Sequence, residues 1–253
     1  MLEKESLCMF SQYNKKGWIK IPGLLSEEET NAALEILGVE EDALPKNVGT
    51  EKNYQRMLVM YHSNVFRGIL RTVVENSIVN KELQKFKRPI VEHMKPLIKA
   101  AGGVETPWHQ DQSFWTDFDP EQTMFTVWVS LTKASDDSGS LRILDVKNFT
   151  ETFPHIHVNN NKEHALKGDV LSQLLNQGEQ IKCDVKPGDA LIFRSGVIHG
   201  AYPNASNQAR IGFKYVFQDA GKRPVPIAKS GYHLTGIRGM LNKNFKIPLF
   251  GKL

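Results

Sequence analysis

The spacing of the apolar residues changes at Pro89, and this change limits the folds that the chain can adopt. Before Pro89 the apolar residues recur at helical intervals, which predicts helices over 26–37, 65–76 and 78–86, and Ser26 with Glu29 has the spacing of a capping box. After Pro89, short runs rich in β-branched and aromatic residues alternate with turns, as is typical of strands. Strands are predicted over 90–99, 104–111, 122–131, 141–144, 180–185, 190–194, 197–201 and 210–218, with a further short one at 17–23.

These elements predict a mainly β (α+β) fold, in which a jelly-roll core carries N-terminal helices on its outside. The chain of 253 residues shows no internal repeat and no linker, so we expect a single domain. Its parts are a helical region over about 1–88, a jelly-roll core over about 89–218 and a basic C-terminal segment over 219–253. The polar stretch 147–178 interrupts the core; one helix is predicted near 169–175, and the role of the stretch stays open.

The composition is that of an ordinary globular protein, with 40% hydrophobic and 24% charged residues. The sequence has neither a run of eighteen apolar residues nor a basic leader followed by an apolar one. Cys8 and Cys183 match no zinc spacing, so two free thiols in a reducing, cytoplasmic compartment are expected. The C-terminal tripeptide lacks the first residue of a Ser-Lys-Leu signal, which argues against peroxisomal import.

The charges indicate which partners to expect. A net charge of +4 is too small to predict nucleic-acid binding, but residues 220–253 contain seven bases and no acid. Such a segment is typical of a solvated surface, and it also suits attraction of an anionic substrate. We therefore expect a small-molecule partner that is carboxylated, phosphorylated or CoA-linked, and neither nucleic acid nor membrane. The oligomeric state stays open.

A candidate metal site lies in the 108–111 tetrapeptide Trp-His-Gln-Asp. His109 and Asp111 are two residues apart near the end of a predicted strand, so both side chains lie on one face and can bind one metal ion. Alone this is a weak signal, but His199 follows a Pro-Gly-Asp turn on a later apolar strand and supplies a third ligand. Two histidines and one carboxylate are the ligand set of non-haem iron(II) oxygenases.

Arg210, eleven residues after His199, completes a site for a co-substrate. An open triad can hold a bidentate 2-oxo acid and still leave one position for O2, while a guanidinium forms a bidentate pair with the far carboxylate. If His199 ends one strand and 202–207 forms the turn, Arg210 begins the antiparallel partner strand close to the metal. The sequence therefore predicts a site for both ends of 2-oxoglutarate.

These residues resemble the phytanoyl-CoA dioxygenase-like family of iron(II)/2-oxoglutarate-dependent oxygenases. The resemblance rests on the 108–111 tetrapeptide, on the 199–204 stretch His-Gly-Ala-Tyr-Pro-Asn and on Arg210, and it spans most of residues 10–218. It implies a double-stranded β-helix in which iron(II) is bound by His109, Asp111 and His199, while Arg210 binds the 2-oxoglutarate carboxylate.

The resemblance also assigns roles to three further positions. Trp128 falls where the family often has a co-substrate contact, although it is equally well explained as a core aromatic. Gln112 and Trp115, just past the metal strand, match positions that often line the substrate pocket, and rim packing is the alternative. A second pair, His155 and His157, lies in the 147–178 stretch, where a surface or lid role is expected rather than a second metal site.

The activity that the resemblance implies is that of a dioxygenase, with hydroxylation of an unactivated C–H bond and release of succinate and CO2 as the default outcome. Family halogenases have a small residue at the position of Asp111, so this carboxylate argues against halogenation. Desaturation, cyclisation and epimerisation use the same site and stay open. So do two other classes: a non-catalytic jelly-roll binding module, and a cupin-like metal-dependent isomerase or hydrolase, for which Arg210 would have no evident ligand.

Overall fold

The computed structural model describes residues 2–37, 63–87, 89–116, 124–158, 163–219 and 225–226. Apart from the backbone of 225–226, the basic segment beyond residue 219 lies outside the described residues, as do the first two residues of the strand predicted at 122–131. The helices are α1 (Leu2–Lys16), α2 (Glu27–Leu37), α3 (Asn64–Glu75), α4 (Ser77–Leu83) and α5 (Gly168–Gln177). The strands are β1 (Trp18–Ile21), β2 (Pro89–Lys99), β3 (Thr106–His109), β4 (Trp115–Thr116), β5 (Met124–Ser130), β6 (Leu141–Asp145), β7 (His155–Val158), β8 (Glu163–Leu166), β9 (Glu179–Cys183), β10 (Ala190–Arg194), β11 (Ile198–Ala201), β12 (Arg210–Asp219) and β13 (Val225–Pro226).

Two antiparallel sheets form the core. The major sheet has the strand order β1-β10-β5-β12-β2, and the minor sheet has the order β3-β11-β6-β9. Their facing side chains meet in one apolar cluster, where Trp128 and Phe193 of the major sheet pack with Ile143 and Ala201 of the minor sheet. Two sheets packed in this way confirm the mainly β, jelly-roll fold that the strand pattern predicts.

The helices cover the outer face of the major sheet. Phe213 and Tyr215 of β12 belong to an apolar cluster that also contains the buried residues of α2, α3 and α4. The rings of Phe66 and Phe213 meet edge to face with centroids 5.4 Å apart, and the Tyr215 hydroxyl donates to the Phe66 carbonyl at 3.1 Å. Because side chains alternate along a strand, Arg210 and Lys214 lie on the opposite, interior face of β12.

The predicted capping box precedes α2. The Glu29 N–H donates to Ser26 Oγ at 3.2 Å, and the Ser26 N–H donates to Glu29 Oε2 at 3.0 Å. The other carboxylate oxygen of Glu29 accepts from the Thr72 hydroxyl of α3 at 2.5 Å. The cap therefore also ties α2 to its neighbour on the outside of the sheet.

Helix α1 has no counterpart among the predicted helices. Charged residues lie near both of its ends, and its central residues Met9, Phe10 and Tyr13 pack on the core next to the major sheet. Tertiary packing rather than a continuous apolar stripe therefore stabilises this helix, which explains why the sequence pattern does not predict it. Among the described helices, none is long and apolar enough to cross a membrane.

The 147–178 stretch contains more regular structure than predicted. Besides the predicted helix, which is α5, it contains the antiparallel strand pair β7 and β8, with His157 opposite His164. Each strand is only four residues long, and Ile156 is 47% exposed, so the stretch is too short and too polar to be identified as a half-buried strand from the sequence.

The prediction that β11 and β12 pair across a turn is wrong. Strand β11 pairs with β3 and β6 in the minor sheet, whereas β12 pairs with β5 and β2 in the major sheet. The chain crosses between the sheets in residues 202–209, where the Asn204 side chain donates to the carbonyls of Lys99 at 2.9 Å and Gln208 at 2.7 Å. The bond to Lys99 attaches the connection to the end of β2, and the bond to Gln208 lies within the connection itself.

Replacing Phe213 by alanine is expected to lower the free energy of unfolding by about 3–5 kcal/mol, because the ring is fully buried between β12 and α3 and its removal leaves a cavity. Denaturant titration of the metal-free protein measures the change. Val104→Ala is the control, since Val104 is 75% exposed and its truncation changes the free energy by less than about 0.5 kcal/mol. Equal losses in the two variants would contradict the packing of the helices on this sheet.

Candidate metal centre

Three side chains with metal-binding chemistry lie together in the interior. One ligand atom each from His109, Asp111 and His199 lies within 4.8 Å of the other two. The Nε2 atoms of His109 and His199 are each 3.9 Å from Asp111 Oδ1, and the imidazole centroids are 4.3 Å apart. Within the described ranges this is the one group of three or more His, Cys, Asp or Glu side chains that could hold a metal ion. The structure thus brings the three predicted ligands together.

The pairing of β3 with β11 positions the two histidines. His109 is the last residue of β3 and lies directly opposite His199 of β11. The register shifts immediately after this pair, between His199 and Ala201. Such an irregularity ends regular pairing and redirects the chain, as is common beside functional sites.

Asp111 does not continue the strand, contrary to the predicted strand over 104–111. Strand β3 ends at His109, and Asp111 begins a 3-10 helix, Asp111–Phe114. The turn is held by hydrogen bonds from Gln112 N to the Ser195 carbonyl and from Ser113 N to the Gln110 carbonyl, both 3.1 Å long. The turn, and not the alternation of a strand, therefore places the carboxylate beside the imidazoles.

Each imidazole is oriented by a carbonyl two residues before it. His109 Nδ1 lies 2.8 Å from the Pro107 carbonyl, and His199 Nδ1 lies 3.0 Å from the Val197 carbonyl. A carbonyl can only accept, so in each ring Nδ1 carries the proton and donates it. The lone pairs of both Nε2 atoms are then left for a metal, as the outer hydrogen bonds of metal-binding histidines require.

The protonation states of the triad also suit a metal ion. Burial, followed by the neighbouring His199, lowers the pKa of His109 to about 3, and burial lowers the pKa of His199 as well. Burial alone would raise the pKa of Asp111, but the charge of Lys214 at 3.5 Å and the two histidines hold it well below its usual range. Two neutral imidazoles and one carboxylate are therefore ready to bind without first losing protons.

This donor set fits iron(II). Two nitrogen ligands on neighbouring strands and one oxygen ligand on the adjoining 3-10 turn match the donor set of facial non-haem iron sites, which leaves positions for other ligands. The second carboxylate oxygen of Asp111 accepts a hydrogen bond from Thr126 Oγ1 at 2.8 Å. Thr126 therefore directs Asp111 Oδ1 toward the histidines.

Arg210 lies on the interior face at the start of β12 and is buried. Its Nε donates to the Gly139 carbonyl at 3.1 Å, and its Nη1 donates to the Leu97 carbonyl at 3.0 Å. Burial lowers its pKa to about 10, so the guanidinium keeps its charge at neutral pH. A guanidinium has five N–H donors, and three of these have no partner among the described residues. They are available to a carboxylate.

Trp128 packs between Arg210 and the backbone of β12. The guanidinium carbon of Arg210 is 5.5 Å from the centroid of the ring, and a Cβ at Gly212 would come within 2.8 Å of the ring atoms. The indole N–H of Trp128 is buried and has no hydrogen-bond partner within the described part of the chain. Tryptophan N–H groups usually find a partner when buried, so this one suits a bound ligand. The co-substrate contact of Trp128 stays a prediction.

Gln112 is almost completely buried, and both ends of its amide are bonded. Its Nε2 donates to Thr152 Oγ1 at 2.7 Å and to the Thr150 carbonyl at 3.4 Å, and its Oε1 accepts from Ser195 Oγ at 3.4 Å. These bonds attach the 150–152 segment to the metal centre. Trp115 begins β4, which pairs with β13, and its side chain lies outside the described residues. The substrate contacts of both residues stay predictions.

The β7–β8 strand pair packs against the metal strand. His155 Nε2 accepts from the backbone N–H of Gln110 at 3.1 Å, and its Nδ1 donates to the Phe153 carbonyl at 2.6 Å. The ring of His164 stacks on Phe114 with centroids 4.1 Å apart. His155 therefore supports the residue between two of the ligands. The lid role expected for His155 and His157 stays a prediction.

Two residues of the site were missed from the sequence. Thr126 and Lys214 contact Asp111, and both lie on strands whose other residues were assigned to the site. Counting in steps of two from Trp128 and from Arg210 leads to Thr126 and to Lys214 on the same faces. The sequence thus contains the spacing that places Thr126 and Lys214 in the site. This spacing identifies them only once the interior faces of both strands are known.

A jelly roll with this triad and a buried guanidinium defines the class of non-haem iron oxygenases. Residues 13–212 match the family model described as phytanoyl-CoA dioxygenase (PhyH). The match covers most of the chain, which therefore belongs to the phytanoyl-CoA dioxygenase family. Together with the triad, membership of this family confirms the predicted cofactor class, iron(II) with 2-oxoglutarate and O2.

Several solved structures share the fold. EvdO2 from Micromonospora carbonacea var. aurantiaca, complexed with 2-oxoglutarate, is 21% identical with a TM-score of 0.62 over 87% of this chain and 92% of that chain. EctD from S. alaskensis, with 2-oxoglutarate and 5-hydroxyectoine, is 17% identical with a TM-score of 0.63 over 85% and 76%. SnoN, a non-heme alpha ketoglutarate dependent epimerase from nogalamycin biosynthesis, is 15% identical with a TM-score of 0.55 over 86% and 84%. At these identities the similarity concerns the fold.

Replacing Thr126 by valine is expected to weaken iron(II) binding by about 10–100-fold, because Asp111 loses the hydrogen bond that directs its carboxylate. Competition with a chromogenic chelator under argon measures the dissociation constant. Thr150→Val is the matched control, since the Thr150 hydroxyl donates to Asn148 Oδ1 and contacts no ligand of the triad. Unchanged iron binding in Thr126→Val would contradict this role.

The metal-free protein is expected to lose stability as the pH falls from about 6.5 towards 3. The pKa of His109 is about 3 in the folded state against about 6.5 in the unfolded chain, so the unfolded chain binds more protons in this window. This group alone contributes up to about 1.4 kcal/mol per pH unit. Denaturant titrations at pH 7 and pH 5 measure the loss, which should be smaller in His109→Gln than in wild type. Equal losses in the two proteins would exclude a buried neutral His109.

Proposed function

We propose that this chain is an iron(II)- and 2-oxoglutarate-dependent dioxygenase that hydroxylates an unactivated C–H bond of a small anionic molecule, with release of succinate and CO2. The observation that carries the proposal is the triad itself: two imidazoles with free Nε2 atoms converge on one ionised carboxylate. These are the protonation states that a bound metal ion requires of its ligands.

His109, Asp111 and His199 would hold the iron, with the imidazoles fixed by the Pro107 and Val197 carbonyls. When bound, iron(II) with 2-oxoglutarate and O2 supplies the oxidation of a C–H bond. Thr126 keeps the Asp111 carboxylate in place, which limits how far the ligands must rearrange when the metal binds.

Arg210 would hold the far carboxylate of 2-oxoglutarate. Its position is determined by two backbone carbonyls and by the Trp128 ring, so its remaining N–H groups are oriented before the co-substrate binds. The N–H of Trp128, which has no partner among the described residues, lies on the same face and would donate to the co-substrate. In this arrangement 2-oxoglutarate is the ligand of Arg210. In a cupin-like isomerase or hydrolase, Arg210 would have no evident ligand.

Hydroxylation is the proposed outcome, and Asp111 supports it over halogenation because its carboxylate would bind the metal where a halide would otherwise bind. SnoN, which shares the fold, is an epimerase, so the fold by itself does not select the outcome. The proposal also comprises a single domain and a cytoplasmic location. The small-molecule partner would be carboxylated, phosphorylated or CoA-linked.

Succinate formation from 2-oxoglutarate in the presence of iron(II) and O2 tests the function. Asp111→Ala and His199→Ala are expected to abolish it, because each removes a ligand. Iron-dependent succinate formation that persists in Asp111→Ala would contradict the proposal. Tight zinc binding by the wild-type protein without any 2-oxoglutarate turnover would favour a binding module, and activity without O2 would favour an isomerase or hydrolase.

Arg210→Lys is expected to raise the KM for 2-oxoglutarate at least about 30-fold with a smaller effect on kcat, because a lysine cannot form the bidentate pair. The matched control is Arg142→Lys. Arg142 lies on the outer side of the minor sheet, stacked on Trp108 and paired with Glu105, and its replacement should leave the KM unchanged. Equal effects at the two positions would remove Arg210 from the co-substrate site.

A further inference from the structure

Two lysines lie opposite each other on the interior face beside the triad. Lys214 of β12 and Lys95 of β2 are direct partners in the antiparallel register, so their Cβ atoms are about 4.5–5.5 Å apart. Lys214 Nζ is 3.5 Å from Asp111 Oδ1, and Trp128 is the partner of Lys214 on its other side. The pair therefore belongs to the face that also carries Trp128 and Thr126.

The lysines have almost no partners of their own. The contact of Lys214 with Asp111 is its one hydrogen bond or ion pair in the described ranges, and Lys95 has none there. Burial, together with the charge of Lys214, lowers the pKa of Lys95 to about 8. By contrast Lys99, the next interior lysine of β2, donates to the carbonyls of Val104 and Tyr202. Like charges directly opposite each other destabilise a sheet, so the stability of the fold does not explain why these two lysines are paired.

The two lysines would also lack a counter-charge when iron(II) and 2-oxoglutarate are bound. Iron(II) brings two positive charges and Arg210 one, while Asp111 brings one negative charge and 2-oxoglutarate two, so these four components cancel. Lys95 and Lys214 are then left without a counter-anion in a partly desolvated interior, where unpaired charges are costly. A bound anion would remove this cost.

We propose that Lys95 and Lys214 form an anion-binding subsite beside the metal, which takes a carboxylate or phosphate group of the primary substrate. The inference rests on the proposed function, and it assigns the recognition of an anionic substrate to two interior lysines rather than to the basic C-terminal segment. The subsite would hold the acidic group close to the iron, and so place a neighbouring carbon of the substrate at the reacting position.

This subsite is separate from the one that Arg210 forms. Arg210 and Lys214 are four residues apart on β12, which corresponds to roughly 13 Å along an antiparallel strand. The Trp128 ring lies against Gly212, between them. With the indole ring between the two side chains, the protein would bind the far end of 2-oxoglutarate and the acidic group of the substrate at different places on one face.

Sulfate binding to the iron(II) and 2-oxoglutarate complex under argon tests the subsite, because the co-substrate then occupies Arg210. Calorimetric titration is expected to show saturable binding of one sulfate in the wild-type protein, weakened at least about tenfold in Lys95→Met, which removes one of two charges. Lys95→Arg, which keeps the charge, should bind within about threefold of wild type. The control is Lys133→Met, an exposed lysine outside the site, which should bind sulfate as wild type does.

A second measurement distinguishes whether the lysine pair binds an anionic group of the primary substrate or of 2-oxoglutarate. The dissociation constant of 2-oxoglutarate is measured in the same variants from its charge-transfer absorbance with iron(II). If Lys95→Met weakens 2-oxoglutarate binding as much as sulfate binding, the pair serves the co-substrate and the substrate assignment is wrong. Absence of saturable sulfate binding, or equal binding by wild type and by a folded Lys95→Met, would also overturn the subsite. Lys214→Gln provides a second variant should Lys95→Met fail to fold.

Failure of the subsite can be distinguished from failure of the proposed function. If the protein is not an oxygenase, wild type forms no succinate from 2-oxoglutarate, while sulfate titration of the zinc-loaded protein still reports on the lysine pair. If only the subsite is wrong, succinate formation and its loss in Asp111→Ala persist, while sulfate binding does not depend on Lys95.

Discussion

The antiparallel pairing of β3 with β11 is the interaction on which the site depends. It places His109 directly opposite His199, although ninety residues separate them in the chain. Because side chains alternate along a strand, a slip of one residue would turn either imidazole to the other face and remove it from the metal. The carbonyls that orient the imidazoles belong to the same segments, so the pairing determines both the positions of the ligands and their tautomers.

The two faces of β12 have different roles: the outer face contributes to the stability of the fold, and the inner face carries charged groups of the candidate site. The outer face buries Phe213 and Tyr215 against the helices, whereas the inner face presents Arg210 and Lys214 to the interior. The apolar outer face favours folding through a large buried area, and this allows the inner face to carry charged groups that do little for stability. The donors of Arg210 that have no partner among the described residues suit the binding of an anion.

Several features of the site followed from local patterns. The spacing of His109 and Asp111, the later His199 on an apolar strand and Arg210 eleven residues beyond were sufficient to assign the family and the ligand types. The capping box at Ser26 was also correct, because its partners are three residues apart. Thr126 and Lys214 escaped notice, since a threonine and a lysine on strands have no meaning until the strand faces are known. The β7–β8 strand pair escaped because its strands are short and largely polar.

Local patterns were enough to assign the chemical types of the ligands, the family, and the helices and strands with strong periodicity. The packing of distant segments was needed to show that β12 lies in the sheet opposite β11, that Asp111 reaches the metal site from a 3-10 turn, and that Lys95 and Lys214 are opposite each other beside it. Periodicity could not show this, because it reports the environment of each residue along its own element. The partner of a strand is selected by contacts between distant segments, such as the hydrogen bond from the Asn204 side chain to the carbonyl of Lys99.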